Sequence, residues 1–119
     1  MGITNYGYNF FVTRLGSNIS AATHIGIGSG SGVFNAATSG LYNEVSRQAF
    51  STGYPDYSET YVIKWLADWN TVQLSGLSIR EAALFQASTG SVAIQKSHFP
   101  AITFTGSEEL QVEIDVKVL

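Results

Sequence analysis

His24 and His98 are the two histidines of the sequence, and acid–base or metal chemistry near neutral pH would start with them. A metal site needs both to converge with a carboxylate. A catalytic triad needs one of them beside an activated serine. Serines are so plentiful that this pattern decides nothing, and each histidine is read as a hydrogen-bonded strand residue. The acids Glu108, Glu109, Glu113 and Asp115 cluster near one end of the chain. On a strand, Glu113 and Asp115 share a face about 7 Å apart. Calcium needs about six oxygens, so a solvated sheet face is the plainer reading. The glycine run GIGSGSG fails as a nucleotide fingerprint, because the sixth position is Ser31 counted from Gly26 and Val33 counted from Gly28. No catalytic residue, cofactor or metal is expected.

Two further groups have suggestive residue types. Glu44, Arg47, Arg80 and Glu81 are spaced for structural ion pairs. Arg80 and Glu81 interrupt an apolar stretch, so one of them is expected to be buried and paired, pinning a loop to a strand. Tyr61, Trp65 and Trp69 fall at even spacing and could offer a stacking face for sugar. The same row is also what the core of a β-sandwich requires.

The elements that would position these residues are mostly strands. From Leu110 to Val118, aliphatic and polar residues alternate without a break. Side chains on a strand point to opposite faces with period two, so this run predicts one long strand with an oily face that a second layer must cover. Thr60–Trp69 alternates in the same way, as do Val92–Phe99 and, broken at Ser75-Gly76, Val72–Ile79. Arg80–Gln86 is too short for a stable helix and is read as a strand ending near Ile79 and Phe85. Pro100 should end the strand before it. Ile25 and Ile27 share one face of a short strand whose other face is bare glycine, which marks close approach of a backbone or a ring. Leu41–Arg47 reads as one helical turn closed by Glu44 and Arg47.

The single convincing helix spans residues 4–15. Tyr8, Phe11, Val12 and Leu15 form its apolar stripe, Thr4 or Asn5 its N-cap and Gly16 its C-cap. Tyr6, Tyr8, Phe10, Phe11 and Arg14 are the candidate protein-interface residues on it. With about six or seven short strands between Gly/Ser/Asn turns, the expected fold is all-β. It is an antiparallel, jelly-roll-like β-sandwich with one short N-terminal helix, a single domain over 1–119 with strands from about 23 onward.

A chain of 119 residues suffices for a core without disulfides, and cysteine is absent. Charged residues make up only 13%, against about 25% in a common soluble domain. Charge is depleted at the centres of interfaces, so a skin this neutral suits contact with other subunits. An ordinary Ser/Thr-rich β-protein would look similar. The net charge of −3 gives no basic stripe for nucleic acid. No segment has the length of a membrane span, and the N-terminus lacks the pattern of a secretory signal. The expectation is a complete small gene product made in a cytoplasm.

In order, the chain carries a short aromatic helix, HIGIGSG, LYNEVSR, SIREAALF, a hairpin, and HFPAITFTGSEELQVEIDVKV. This succession resembles a group of small structural proteins and fibre-attached modules of tailed bacteriophages. Their pattern is Ile-Gly-x-Gly, Leu-x-x-Glu-Val-x-Arg, Ile-x-Glu-Ala-Gly-Leu-Phe and a final Phe-Pro-x-Ile…Leu-x-Val strand pair. The likeness runs over nearly the whole chain, in motifs that are specific together and weak singly. Ala83 departs from it, standing where the pattern has glycine. The resemblance implies a non-enzymatic virion component, decorating a capsid or attached to a tail or tail fibre and assembled in the host cytoplasm. Its implied partners are itself, as a trimer or ring, and other virion proteins such as major capsid or tail proteins, with no nucleic acid and no membrane. A carbohydrate-binding module using Tyr61, Trp65 and Trp69 is the alternative. A hydrolase using His24 or His98 stands third.

Overall fold

Leu110, Val112, Ile114 and Val116 share one face of a strand and pack on the core, while Gln111, Glu113, Asp115 and Lys117 face solvent. The structure is a computed structural model and describes residues 2–16 and 21–117. Val118, the last residue of the expected alternation, lies outside the described residues. The elements run β1 (Gly2–Ile3), α1 (Asn5–Gly16), β2 (His24–Gly28), β3 (Glu44–Ala49), β4 (Val62–Trp69), α2 (Thr71–Leu74), β5 (Ser78–Phe85), β6 (Gln95–Thr103) and β7 (Leu110–Lys117).

Two antiparallel sheets form the expected all-β sandwich. The larger has the order β1-β6-β5-β2-β3, and the smaller is the pair β4-β7. β4 and β7 stay in register from Val62 opposite Lys117 to Trp69 opposite Leu110. Between the sheets lie Ile25 and Ile27 of β2, Ile79, Ala82 and Leu84 of β5, Trp65, Ala67 and Trp69 of β4, and Ile114 of β7. Phe10 of α1 and Leu74 of α2 belong to the same core. The Trp69 indole N–H donates to Ser46 Oγ at 2.9 Å, so the polar handle of a buried ring finds a partner on the facing sheet.

Several expectations need correction. Leu41–Arg47 is not a helical turn, because residues from Glu44 onward form β3. In a regular strand, residues three apart point to opposite faces. Ser46 pairs with Ile27 and Glu44 with Gly28, so Val45 is an extra residue that brings Glu44 round to the face of Arg47. Val72–Ile79 is not one strand either. Asn70 accepts from the Gln73 amide and the Gln73 side chain accepts from the Asn70 amide, both at 2.9 Å. This capping box starts α2, and β5 begins only at Ser78. β6 runs on through Pro100, because Ile102 pairs with Ile79 and His98 with Glu81, so three residues of β6 stand opposite Arg80 alone. Pro100 lies in that bulge, where no ladder hydrogen bond is required.

The helix docks by a face that takes in only Phe11 of its expected stripe. Thr4 is the N-cap: its hydroxyl accepts from the Gly7 amide at 2.9 Å, and it donates in turn to the carbonyls of Ala93 and Ile94. This ties the first turn of α1 to the start of β6, and Gly7 and Phe10 become the buried residues. The Tyr6 hydroxyl also turns inward, donating to Gln86 Oε1. Tyr8, Val12 and Leu15 therefore point outward, 63%, 69% and 91% exposed. Gly16 is the last helical residue.

Candidate functional site: an exposed helix stripe and a strapped sheet face

Two surfaces stand out, one bare and one covered. The bare one is the outer face of α1. Tyr8, Val12 and Leu15, at i, i+4 and i+7, line one side of the helix, and none of them is buried by the described residues. Of the residues proposed for an interface, Tyr8 and Arg14 are exposed and Phe11 is half-buried, whereas Phe10 is core and Tyr6 packs against it. Leu15 and Arg14 continue into an open cleft of about 900 Å³, floored by Phe10 and Trp65 and bordered by Tyr57 and Tyr61.

The covered surface is the face of the larger sheet that looks away from β4 and β7. Along β2 it carries His24, Gly26 and Gly28, and along β5 it carries Glu81, Ala83 and Phe85. These residues alternate with the core residues on each strand. Residues 29–43 cross it as a strap, with Leu41 packed on Ala83 and Phe85. Glu81 has no exposed surface. Its Oε2 accepts from the amides of Gly30 at 3.0 Å and Asn43 at 2.8 Å, and its Oε1 accepts from that of Tyr42 at 2.9 Å. A buried carboxylate is tolerated only when its lone pairs are satisfied in this way. The glycines make room: a Cβ at Gly28 would overlap Glu81 Oε2, and one at Gly30 would lie 2.6 Å from it.

Lys96, opposite Ala83 on β6, is fully buried. Its ammonium donates to the carbonyls of Asn35 at 3.0 Å and Thr38 at 3.2 Å, and to the Thr38 hydroxyl. Burial pushes its pKa below the usual lysine value, and Glu81 offsets part of that. Glu81 and Lys96 thus hold the strap from both sides of the peptide unit, one through N–H groups and one through C=O groups. His98 lies beside them, its Nδ1 3.9 Å from Glu81 Oε1 and its ring 5.6 Å from that of Tyr42.

Glu44 and Arg47 complete this face. The guanidinium donates to both Glu44 oxygens at 2.7 Å, and its Nη1 donates to the carbonyls of Ala87 at 3.0 Å and Gly90 at 2.8 Å. It lies 3.5 Å over the centre of the Phe85 ring. Arg80 is exposed and joins no such cluster among the described residues, so Arg80 and Glu81 part company: one meets water, the other backbone amides.

No protein-family model matches this chain, and no curated protein is significantly similar to it.

The remaining candidates separate. His24 pairs across from Phe85 and His98 from Glu81, so the histidines do not meet. His24 hydrogen-bonds Thr23 Oγ1 at 2.7 Å, and burial, then Arg47, lowers its pKa. Glu113 and Asp115 are solvated, and no cluster of three metal-ligating side chains occurs among the described residues. Glu108 closes its own turn by accepting from the Thr105 amide at 2.8 Å. Tyr61, Trp65 and Trp69 make no stacking platform: the tryptophans are 5% and 1% exposed, and Tyr61 precedes the strand in a left-handed conformation, φ +64°. No helix of the described residues is long and apolar enough to cross a membrane.

Lys96, Tyr42, Asn35 and Thr38 were not singled out from the sequence. The available signals were the alternate glycines at 26, 28, 30 and 32 and a lysine sitting among strand residues.

Proposed function

We propose that this chain is a non-enzymatic structural subunit of a bacteriophage particle, self-associating through the outer face of α1 and docking on other particle proteins. The observation that carries this reading is the Tyr8–Val12–Leu15 stripe. A helix normally turns its apolar stripe inward, and here three of the four residues of the expected stripe are exposed. The low charge content supports the same reading. So do the strand edges at β3 and β7, which end their sheets and offer unpaired backbone groups. The phage assignment rests on the motif resemblance, whose segments fall on β2, β3, β5, β6 and β7. A capsid-decorating or tail-attached accessory role fits a chain without fibre-shaft repeats. The test is light scattering after size exclusion, with Tyr8→Ser, Val12→Ser and Leu15→Ser combined. The wild type should be a homo-oligomer, and the variant a folded monomer. A strictly monomeric wild type with no affinity for phage particles would overturn the reading.

A second reading, a glycan-binding module, is favoured by one observation. Tyr57 and Tyr61 are each 74% exposed at the border of the apolar cleft, beside Ser58, Glu59 and Thr60. Exposed rings beside hydroxyl and carboxylate groups suit a sugar's apolar face and its hydroxyls. A glycan array decides it: binding lost in Tyr57→Ala supports the reading, and a silent array removes it.

A further inference from the structure

The strap over the outer face of the larger sheet is held by the carbonyls of Ala36 and Ser39, which accept from the amides of Asn5 and Ala93, by Leu41, and by two buried ionisable groups. Glu81 holds the amides of Gly30, Tyr42 and Asn43, and Lys96 holds the carbonyls of Asn35 and Thr38. A third ionisable group, His98, is unlike the first two. Both ring nitrogens of His98 are buried, and neither has a hydrogen-bond partner among the described residues. A neutral imidazole in this position is costly to leave unpaired, and an imidazolium far more so.

We propose that residues 29–43 form an acid-released strap, in which protonation of His98 sets its ring in competition with the Tyr42 amide for Glu81 and opens the covered sheet face.

The geometry makes Tyr42 the hinge of the competition. Its amide donates to Glu81 Oε1 at 2.9 Å, the same oxygen that lies 3.9 Å from His98 Nδ1. Its ring packs on the His98 ring. A charged ring must gain an acceptor or water. The near acceptor is an oxygen already in use, and water would have to reach ring nitrogens that are buried while the strap is closed. From β5, Glu81 attracts the charged ring. Along β6, Lys96 repels it, and its own ammonium is tied to the strap. From the strap comes only the uncharged face of Tyr42. Burial is the largest influence on His98 and pushes its pKa down; Glu81 counters this, while Lys96 and, least, the chain's amino terminus add to it. The closed strap therefore favours the neutral ring. A proton bound tenfold more tightly by the open form raises the open population about tenfold once the closed form also protonates.

The experiment is amide hydrogen exchange of Gly30, Tyr42 and Asn43 between pH 7.5 and 5, corrected for intrinsic exchange and referenced to amides of β4 and β7. It is run on the wild type and on His98→Gln. The wild type should lose about tenfold or more of its strap protection on acidification while the reference amides hold, and His98→Gln should show a flat profile. An unchanged strap in acid overturns the proposal. So does an identical loss in the variant, which would place the titrating group outside His98. Should His98→Gln fail to fold, the wild-type imidazole shifts of His98 are followed by NMR beside the Tyr42 amide. A shared midpoint supports the proposal, and separate midpoints overturn it.

Discussion

Gly7 of α1 rests so closely on the carbonyl oxygen of Ile94 that a methyl group at that position would overlap the oxygen. The helix is seated at this point, and the seat decides which of its faces turns outward. In an exposed helix, Gly→Ala stabilises by about 1 kcal/mol. Here the added carbon must lift α1 off β6 and loosen Phe10 from the core. Gly7→Ala should therefore destabilise, by about 1–3 kcal/mol net, a range typical of overpacking. Urea denaturation read by tryptophan fluorescence checks the sign. A stabilised variant would show that α1 is not held at Gly7.

Glu81→Gln should loosen the strap at every pH. The amide offers one acceptor oxygen and presents an N–H₂ group to donors that also need an acceptor. With at least one buried amide left unpaired, the expected loss is about 2–3 kcal/mol. It should appear as faster proteolysis within 29–43 and a lower urea midpoint.

Arg47→Lys should also destabilise, although charge is kept. The guanidinium grips Glu44 with two donors, reaches the Ala87 and Gly90 carbonyls with a third nitrogen, and covers Phe85. A lysine ammonium cannot reproduce the fork or the planar stacking. A loss of about 1–3 kcal/mol is expected, with the 87–90 turn becoming the most mobile part of the chain by NMR relaxation.

His24 supplies an acid-side dependence separate from the strap. Burial first and Arg47 second hold its pKa below 6.5 in the folded chain. A group depressed on folding contributes stability that is complete above its unfolded pKa and is lost as pH falls through the folded one. The urea midpoint should thus drop as pH goes from 7.5 to about 5, and drop less in His24→Gln. Equal slopes for the two proteins would remove His24 from the account.

What could be read from the sequence divides along physical lines. The alternation of β7 and β4, the bare glycine face of β2 and the extent of β5 follow from period-two patterning, which a half-buried strand must obey. Glu81 stood out because a carboxylate inside an apolar run has to be satisfied somewhere. Its partners did not, since they are backbone amides, which every residue carries. The β3 segment misled because a bulge at Val45 gives a strand the three-residue pairing of a helix. α2 hid because Val72 and Leu74 fit a strand's period as well as a helix's, though Asn70 and Gln73 were already at capping-box spacing. The face of α1 misled because the stripe was sought among large side chains, and the docking point is a glycine.

The pairing of β4 with β7 has a consequence for synthesis. Trp69 lies opposite Leu110, so residues 70–109 must leave the ribosome before the ladder can start to close. At roughly 5–20 residues per second, β4 spends on the order of seconds with no ladder partner. During that interval Trp65, Leu66 and Trp69 form an oily edge that a chaperone, or a neighbouring nascent chain, can seize first.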